Sequence, residues 1–218
     1  MTRNFDDVKN GIKYEIAKLE HYEIVKHMFL HDYLEREPLV LASGHGILTE
    51  DKQKLDQELY TFLVPTLESQ LSIIAKDAET NEIVGIRASK VLEKGYPKEP
   101  QMKGNVSMFL EDAKDFDIFE KYGVDQVADF TFLVVKELYT RRGIAKEMVS
   151  RAMALAANKG LRVVTVLATS PITVNLFEKM EFDLLKSLSI RDYTLNGTIQ
   201  FPFAEEGLVG NLYGKRLF

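Results

Sequence analysis

Apolar and polar positions change their period between Phe130 and Asn158. Residues 130–135 (FTFLVV) form an almost unbroken apolar run, the pattern of a buried strand. From Ile144 onward the apolar residues Ile144, Met148, Ala152 and Leu155 recur at helical spacing. The polar turn Thr140-Arg141-Arg142-Gly143 separates the two patterns, Lys159-Gly160 supplies a helix stop, and residues 161–167 form the next apolar run. The predicted order is strand, polar turn, amphipathic helix, strand.

The same reading extends along the chain. Residues 1–11 form a loose lead-in, and the alternation of Ile12, Tyr14 and Ile16 predicts a first strand over 12–19. Val25, Met28 and Phe29 predict a helix over 21–34, which must end near Glu37 because Pro38 disfavours α geometry in the residue before it. Residues 39–48, with Gly44-His45-Gly46, read as a flexible loop, and Thr49 with Glu50 and Asp51 caps a helix through Leu55, Leu59, Phe62 and Leu63. These two helices and their loop are expected to form a substrate rim. Residues 71–76 and 82–91 predict a hairpin, 95–104 a proline-containing loop, and 107–122 a single helix ended by Gly123. Ser170 as N-cap and Pro171 at the first helical position open a short helix to Met180, with strands at 182–190 and near 208–217 joined by a long excursion.

The turn at 140–146 brings candidate chemistry. Free N–H groups of a first helical turn, a glycine that permits close approach, and the guanidiniums of Arg141 and Arg142 together suit an anion, phosphate above all. The turn has neither GxxxxGK[ST] nor GxGxxG, so the two common nucleotide loops are excluded.

Composition narrows the rest. A chain of 218 residues with 45% hydrophobic content supports one domain with a sizeable core. Lys+Arg 28 against Asp+Glu 33 gives a net charge of −5, and no long basic run argues for a nucleic-acid partner. There is no cysteine, which excludes disulfides, thiolate zinc sites and cysteine nucleophiles. His27 and His31 stand at i, i+4 without an HExxH pattern, so they are expected on a solvated helix face and no metal is expected. No apolar run reaches membrane-spanning length and the first residues have no apolar h-region; the expected compartment is the cytoplasm, with no membrane partner.

Thr140-Arg141-Arg142-Gly143-Ile144-Ala145 resembles the acetyl-CoA pyrophosphate loop of the GNAT acyltransferases, Q/R-x-x-G-x-G/A, with Thr140 at the position where the family prefers Gln or Arg. The element order resembles the GNAT layout over nearly the whole chain. Within that superfamily, Glu35-Arg36-Glu37-Pro38-Leu39, Glu82-Ile83-Val84-Gly85, Asp117-Ile118-Phe119-Glu120-Lys121-Tyr122 and Arg142-Gly143-Ile144-Ala145 are similar to arthropod arylalkylamine (dopamine-type) N-acetyltransferases. Residues 175–182 (NLFEKMEF) are similar to the superfamily's L-Y-E-K-L-G-F, with Phe177 in place of Tyr and Glu181 in place of Gly.

The resemblance implies a single α/β (α+β) domain over residues 1–218, with a central, mixed, mostly antiparallel twisted sheet flanked by helices. It implies acetyl-CoA as cosubstrate, held by Arg141, Arg142, Gly143, Ile144, Ala145 and Lys146, with backbone at Leu133, Val134 and Val135 serving the pantetheine arm and the oxyanion. Glu37 matches the general base of the family's E-P-L, and Arg36, replacing an Asp, is expected to lower its pKa. Ser170 and Thr173, with Thr169 beside them, lie where the arthropod relatives carry catalysis-linked serines, and Tyr213 is a further candidate proton donor. Ser170 also reads simply as an N-cap. Tyr33 and Leu39 are expected to line the amine pocket, the 44–48 loop closing over them. The resemblance implies first an enzyme that transfers acetyl from acetyl-CoA to the primary amine of a small arylalkylamine of the dopamine, tyramine, octopamine or serotonin type; a polyamine or other alkylamine is the alternative acceptor, and a CoA-binding chain with little turnover is a third reading. The protein is expected to be a monomer or weak dimer.

Overall fold

The computed structural model describes residues 7–44, 51–95 and 104–218. Ten strands are described: β1 Val8–Lys9, β2 Ile12–Ile16, β3 Ile73–Asp77, β4 Ile83–Glu93, β5 Gln126–Val135, β6 Val163–Ala168, β7 Asp183–Ser189, β8 Thr194–Leu195, β9 Thr198–Ile199 and β10 Val209–Arg216. The α-helices are α1 Tyr22–Met28, α2 Pro38–Ser43, α3 Lys52–Glu68, α4 Asn105–Ala113, α5 Ile118–Tyr122, α6 Ile144–Asn158 and α7 Pro171–Lys179.

Eight strands form one sheet in the order β1-β2-β3-β4-β5-β6-β10-β7. Neighbours are antiparallel except β5 and β6, whose parallel register runs only from Ala128↔Val164 to Phe130↔Val166. The register of β4 on β5 slips between Ala88↔Phe132 and Ser89↔Phe130, leaving Thr131 as the extra residue of a β-bulge. A bulge bends its strand, and it sits where β5 stops pairing with β6. The two strands part there and open a cleft.

The bulge also resets which residues of β5 face which layer. Phe130 packs with Ile144, Met148 and Ala152 of α6 on one face, whereas Phe132 and Val134 pack with Met28 of α1, Phe29 just after it, and Leu59 and Leu63 of α3 on the other. A third cluster joins Phe109 of α4 to Ile190, Tyr193 and Phe201.

Several elements differ from the sequence reading, each for a local reason. The lead-in contains β1, which folds back on β2 through Asn10 and Gly11, both at positive φ (55° and 75°) as a tight hairpin requires. The strand expected over 12–19 ends at Ile16. The first helix loses α geometry after Met28, passing through a π turn at Phe29–Tyr33 and a 3₁₀ turn at Leu34–Arg36. The loop expected from residue 39 begins as a helix: the Glu37 side chain accepts the Leu39 N–H, Pro38 supplies a fixed φ at N1, and Gly44 ends the helix at φ 66°. The remainder of that loop, 45–48, lies outside the described residues, as do Thr49, Glu50 and most of the 95–104 loop. Finally, the helix expected over 107–122 is broken into α4 and α5, because the Asp117 carboxylate caps a new start by accepting the Glu120 N–H at 2.8 Å.

Candidate active site

Two helix starts converge at the mouth of the cleft. Glu37 caps α2, and Thr169, the residue after β6, precedes Ser170, which caps α7 by accepting the Ile172 N–H. Thr169 Oγ1 donates to Glu37 Oε1 at 2.5 Å, and the Leu39 N–H donates to the same oxygen at 3.3 Å. Glu37 is 8% exposed, and burial raises its carboxyl pKa above the ordinary range; the hydrogen bonds from Thr169, Leu39 and the Tyr33 phenol partly offset that. Burial, followed by the Glu37 charge, pushes the Tyr33 hydroxyl well above its own usual value.

The expectation that Arg36 lowers the Glu37 pKa does not hold. Its guanidinium turns away, donating from Nε to the Asp32 carbonyl at 2.6 Å and from Nη2 to the Val135 carbonyl at 3.1 Å. Arg36 thus ties the end of the first helix to β5 and contributes nothing to the Glu37 shift.

Glu37 opens onto a cavity of about 410 Å³. Phe29, Tyr33, Leu34, Leu39, Phe62, Phe132 and Leu167 give it apolar walls, and α3 contributes Lys54, Gln57, Glu58 and Thr61. Phe132 packs against Phe29, Tyr33 and Phe62 at centroid distances of 5.1, 5.5 and 6.3 Å. Its deeper polar wall holds Asp129, 2% exposed, with Lys114 Nζ at 3.6 Å and the Thr131 hydroxyl at 3.4 Å, and Lys90 beside it. Such a space can seat a ring and present one nitrogen to a carboxylate.

The turn between β5 and α6 is made differently. Arg141 (φ 60°) and Gly143 (φ 78°) both adopt the left-handed conformation, and Gly143 is the N-cap of α6. Nothing lies within 4 Å of where a Gly143 Cβ would stand. Arg141, Arg142, Gly143 and Lys146 are exposed, Ala145 is partly so and Ile144 is buried in the core beneath α6. The Arg142 guanidinium rests over the Tyr139 ring, 5.1 Å from its centroid. Leu133 and Val135 turn toward the α6 layer and Val134 toward the α1 and α3 layer, so on this stretch of β5 the backbone is the common resource. A diphosphate fits this turn on three counts: open space, first-turn N–H groups and adjacent cations.

The structure therefore gathers Tyr33, Glu37 and Leu39 in one cavity wall, while residues 141–146 stand together in the turn before α6 and do not line that cavity. It places Ser170 as an N-cap and turns the Thr173 hydroxyl onto the Ser170 carbonyl at 2.9 Å, and neither lines the cavity. The hydroxyl that meets Glu37 is Thr169; its adjacency to the Ser170-Pro171 helix start was visible in sequence, its pairing with a residue 132 positions earlier was not. The Tyr213 hydroxyl contacts Glu178 and Asn211 at 3.2 Å, and Phe177 is buried against Phe182 and Tyr213. His27 and His31 lie ring to ring, 4.6 Å between centroids, with His31 also facing Glu35 at 3.3 Å. No group of three or more metal-ligating side chains occurs among the described residues, and no helix there is long and apolar enough to cross a membrane.

Comparison with known proteins bears on this geometry. The fold is similar to arylalkylamine N-acetyltransferase 2 from Aedes aegypti, with a TM-score of 0.81 at 18% identity over 96% of this chain and 100% of that one. It is also similar to the Drosophila melanogaster polyamine N-acetyltransferase that forms N-acetylagmatine, with a TM-score of 0.77 at 16% identity over 94% and 99%. The C-terminal condensation domain of Ebony, solved with β-alanyl-dopamine, gives 0.78 at 20% identity over 94% and 98%. No curated protein sequence matches the chain. Residues 45–182, more than half of the chain, match the Acetyltransferase (GNAT) family, whose members use acetyl-CoA; the chain belongs to that family.

Proposed function

We propose that the protein transfers the acetyl group of acetyl-CoA to the primary amine of a small arylalkylamine, with Glu37 as general base. The observation that carries this reading is a carboxylate of raised pKa at the mouth of an aromatic-walled cavity. An alkylammonium of pKa about 10 must lose a proton before it can attack a thioester, and a base titrating nearer neutrality accepts that proton more readily. Thr169 and the Leu39 N–H hold one carboxylate oxygen, the Tyr33 phenol also donates to the carboxylate, and Glu37 lines the cavity. Arg141 to Lys146 hold the diphosphate of CoA, and the β5 backbone at Leu133 to Val135, freed from β6 by the bulge, lies along the pantetheine arm. Ser170 and Thr173 shape the helix start that presents Thr169.

Burial of an aromatic ring among Phe29, Tyr33, Phe62 and Phe132 contributes on the order of 2 kcal/mol relative to an exposed one. A polyamine reading draws on Glu58 and Asp129 in the cavity wall and on the Drosophila neighbour. Lys54, Lys90 and Lys114 line the same wall and oppose a second cation there. Thiol release with acetyl-CoA and either tyramine or spermidine tests the choice. A kcat/KM for tyramine about tenfold or more above that for spermidine is expected; the reverse order would remove the arylalkylamine reading and leave acetyl transfer standing.

A further inference from the structure

The charge at the anion turn is balanced by a residue more than 130 positions away. Glu147 lies in the first turn of α6 and is nearly buried at 9% exposure. A bare carboxylate there would set a negative charge one turn from an incoming diphosphate and weaken its binding. It is not bare. Arg151 Nε donates to Glu147 Oε1 at 3.0 Å, and Lys9 Nζ from β1 donates to Oε2 at 2.6 Å. Arg151 is itself buried, stacks over Tyr14 at 4.4 Å and also pairs with Asp7, so its single charge is shared between two carboxylates. Among the described residues, Lys9 is the cation that meets the Glu147 oxygen not bonded to Arg151. The hairpin that carries Lys9 also flanks the turn: Arg142 Nη2 is 3.9 Å from where a Cβ on Gly11 would stand.

We propose that Lys9 is a positioning residue for the nucleotide half of CoA, acting through Glu147: it cancels the carboxylate's repulsion and so sets the affinity of the 141–146 turn for the diphosphate. This rests on the reading that the turn takes CoA. The first hairpin is then part of the cosubstrate site, although none of its residues needs to touch the ligand.

Calorimetry of the full chain with CoA and with pantetheine, which lacks the nucleotide, tests it. Lys9→Ala is expected to weaken CoA binding by about three- to tenfold, with the loss shrinking at high salt, while pantetheine binding and the thermal midpoint stay close to wild type. Lys9→Arg keeps wild-type affinity. Adding Glu147→Gln to Lys9→Ala restores it, because the repelling charge is gone. Unchanged CoA affinity in Lys9→Ala, or a double variant as weak as the single, overturns the proposal. A wild-type protein that binds CoA no tighter than pantetheine overturns instead the reading of the turn itself.

Discussion

The cavity at Glu37 and the turn before α6 are built on opposite principles. At the cavity the groups placed to act are side chains: Glu37 and Thr169, both buried, and the partly buried Tyr33. At the turn the proposed contacts are backbone: a glycine at φ 78° and the first N–H groups of α6, with exposed cations around them. A buried side-chain site depends on each hydrogen-bonding atom and on the dielectric around it. A backbone site is indifferent to most side chains but sensitive to φ and to added charge of the wrong sign.

The sharpest way to separate the two regions is to remove charge from one and add it to the other. Glu37→Gln keeps shape and the cap to Leu39 but abolishes the base, so kcat should fall by about 10²–10⁴ while calorimetry shows acetyl-CoA affinity unchanged; full turnover at neutral pH would place the base elsewhere. Gly143→Asp is the complementary change. The Cβ meets nothing within 4 Å and Asp tolerates positive φ, so the fold should persist. Acetyl-CoA affinity should nevertheless drop by about 100-fold, since a carboxylate then faces the diphosphate; a folded variant with unchanged affinity would break the assignment of the turn.

A smaller effect probes the support beneath Glu37. Thr169→Val removes a donor that favours the charged carboxylate, so the Glu37 pKa should rise further and less of the base is ionised at a given pH. The rising limb of kcat/KM should shift to higher pH, with a loss of about tenfold at neutral pH and little change in acetyl-CoA affinity. An unshifted limb would make the 2.5 Å contact structural only.

The weakest signal lies in stability. A carboxyl whose folded pKa is raised binds its proton more tightly when folded, so its favourable contribution is full below the ordinary glutamate range and is lost as pH rises through the folded value. Wild type should therefore lose stability relative to Glu37→Gln over that interval, the gap between their thermal midpoints widening toward neutral pH. Parallel curves would mean that Glu37 is not desolvated in solution.

These contrasts also explain what the sequence made legible. The turn proposed for an anion was readable as a turn because its signal is local: Arg141 to Lys146 are consecutive, and the change of period on either side marks strand and helix. The cavity at Glu37 depended on a pairing across 132 positions, so Glu37 could be nominated through its place before Pro38, while Thr169 could only be named as one hydroxyl among three. Arg36 misled for the same reason, since adjacency in the chain says nothing of where a long side chain turns. α2 was missed because Glu37 and Pro38, read as a helix exit, are equally a cap and first residue of the next helix. The split between α4 and α5 turned on one Asp117 carboxylate competing with a continuous apolar stripe, and the bulge at Thr131 could not be read from one hydroxyl inside an otherwise apolar run.

The position of β10 has a consequence for how the chain is made. Val209–Arg216 inserts between β6 and β7, both of which precede it. As the polypeptide leaves the ribosome, β6 and β7 are complete before the strand that separates them exists, and each carries an unsatisfied ladder edge through that interval. Val163–Ala168, an apolar and β-branched segment, is the more hazardous of the two. A chain stopped near residue 205 should thus yield an aggregating product in which β7 has no neighbour in the sheet, and a folding helper that shields strand edges should raise yield most while residues 206–218 are made.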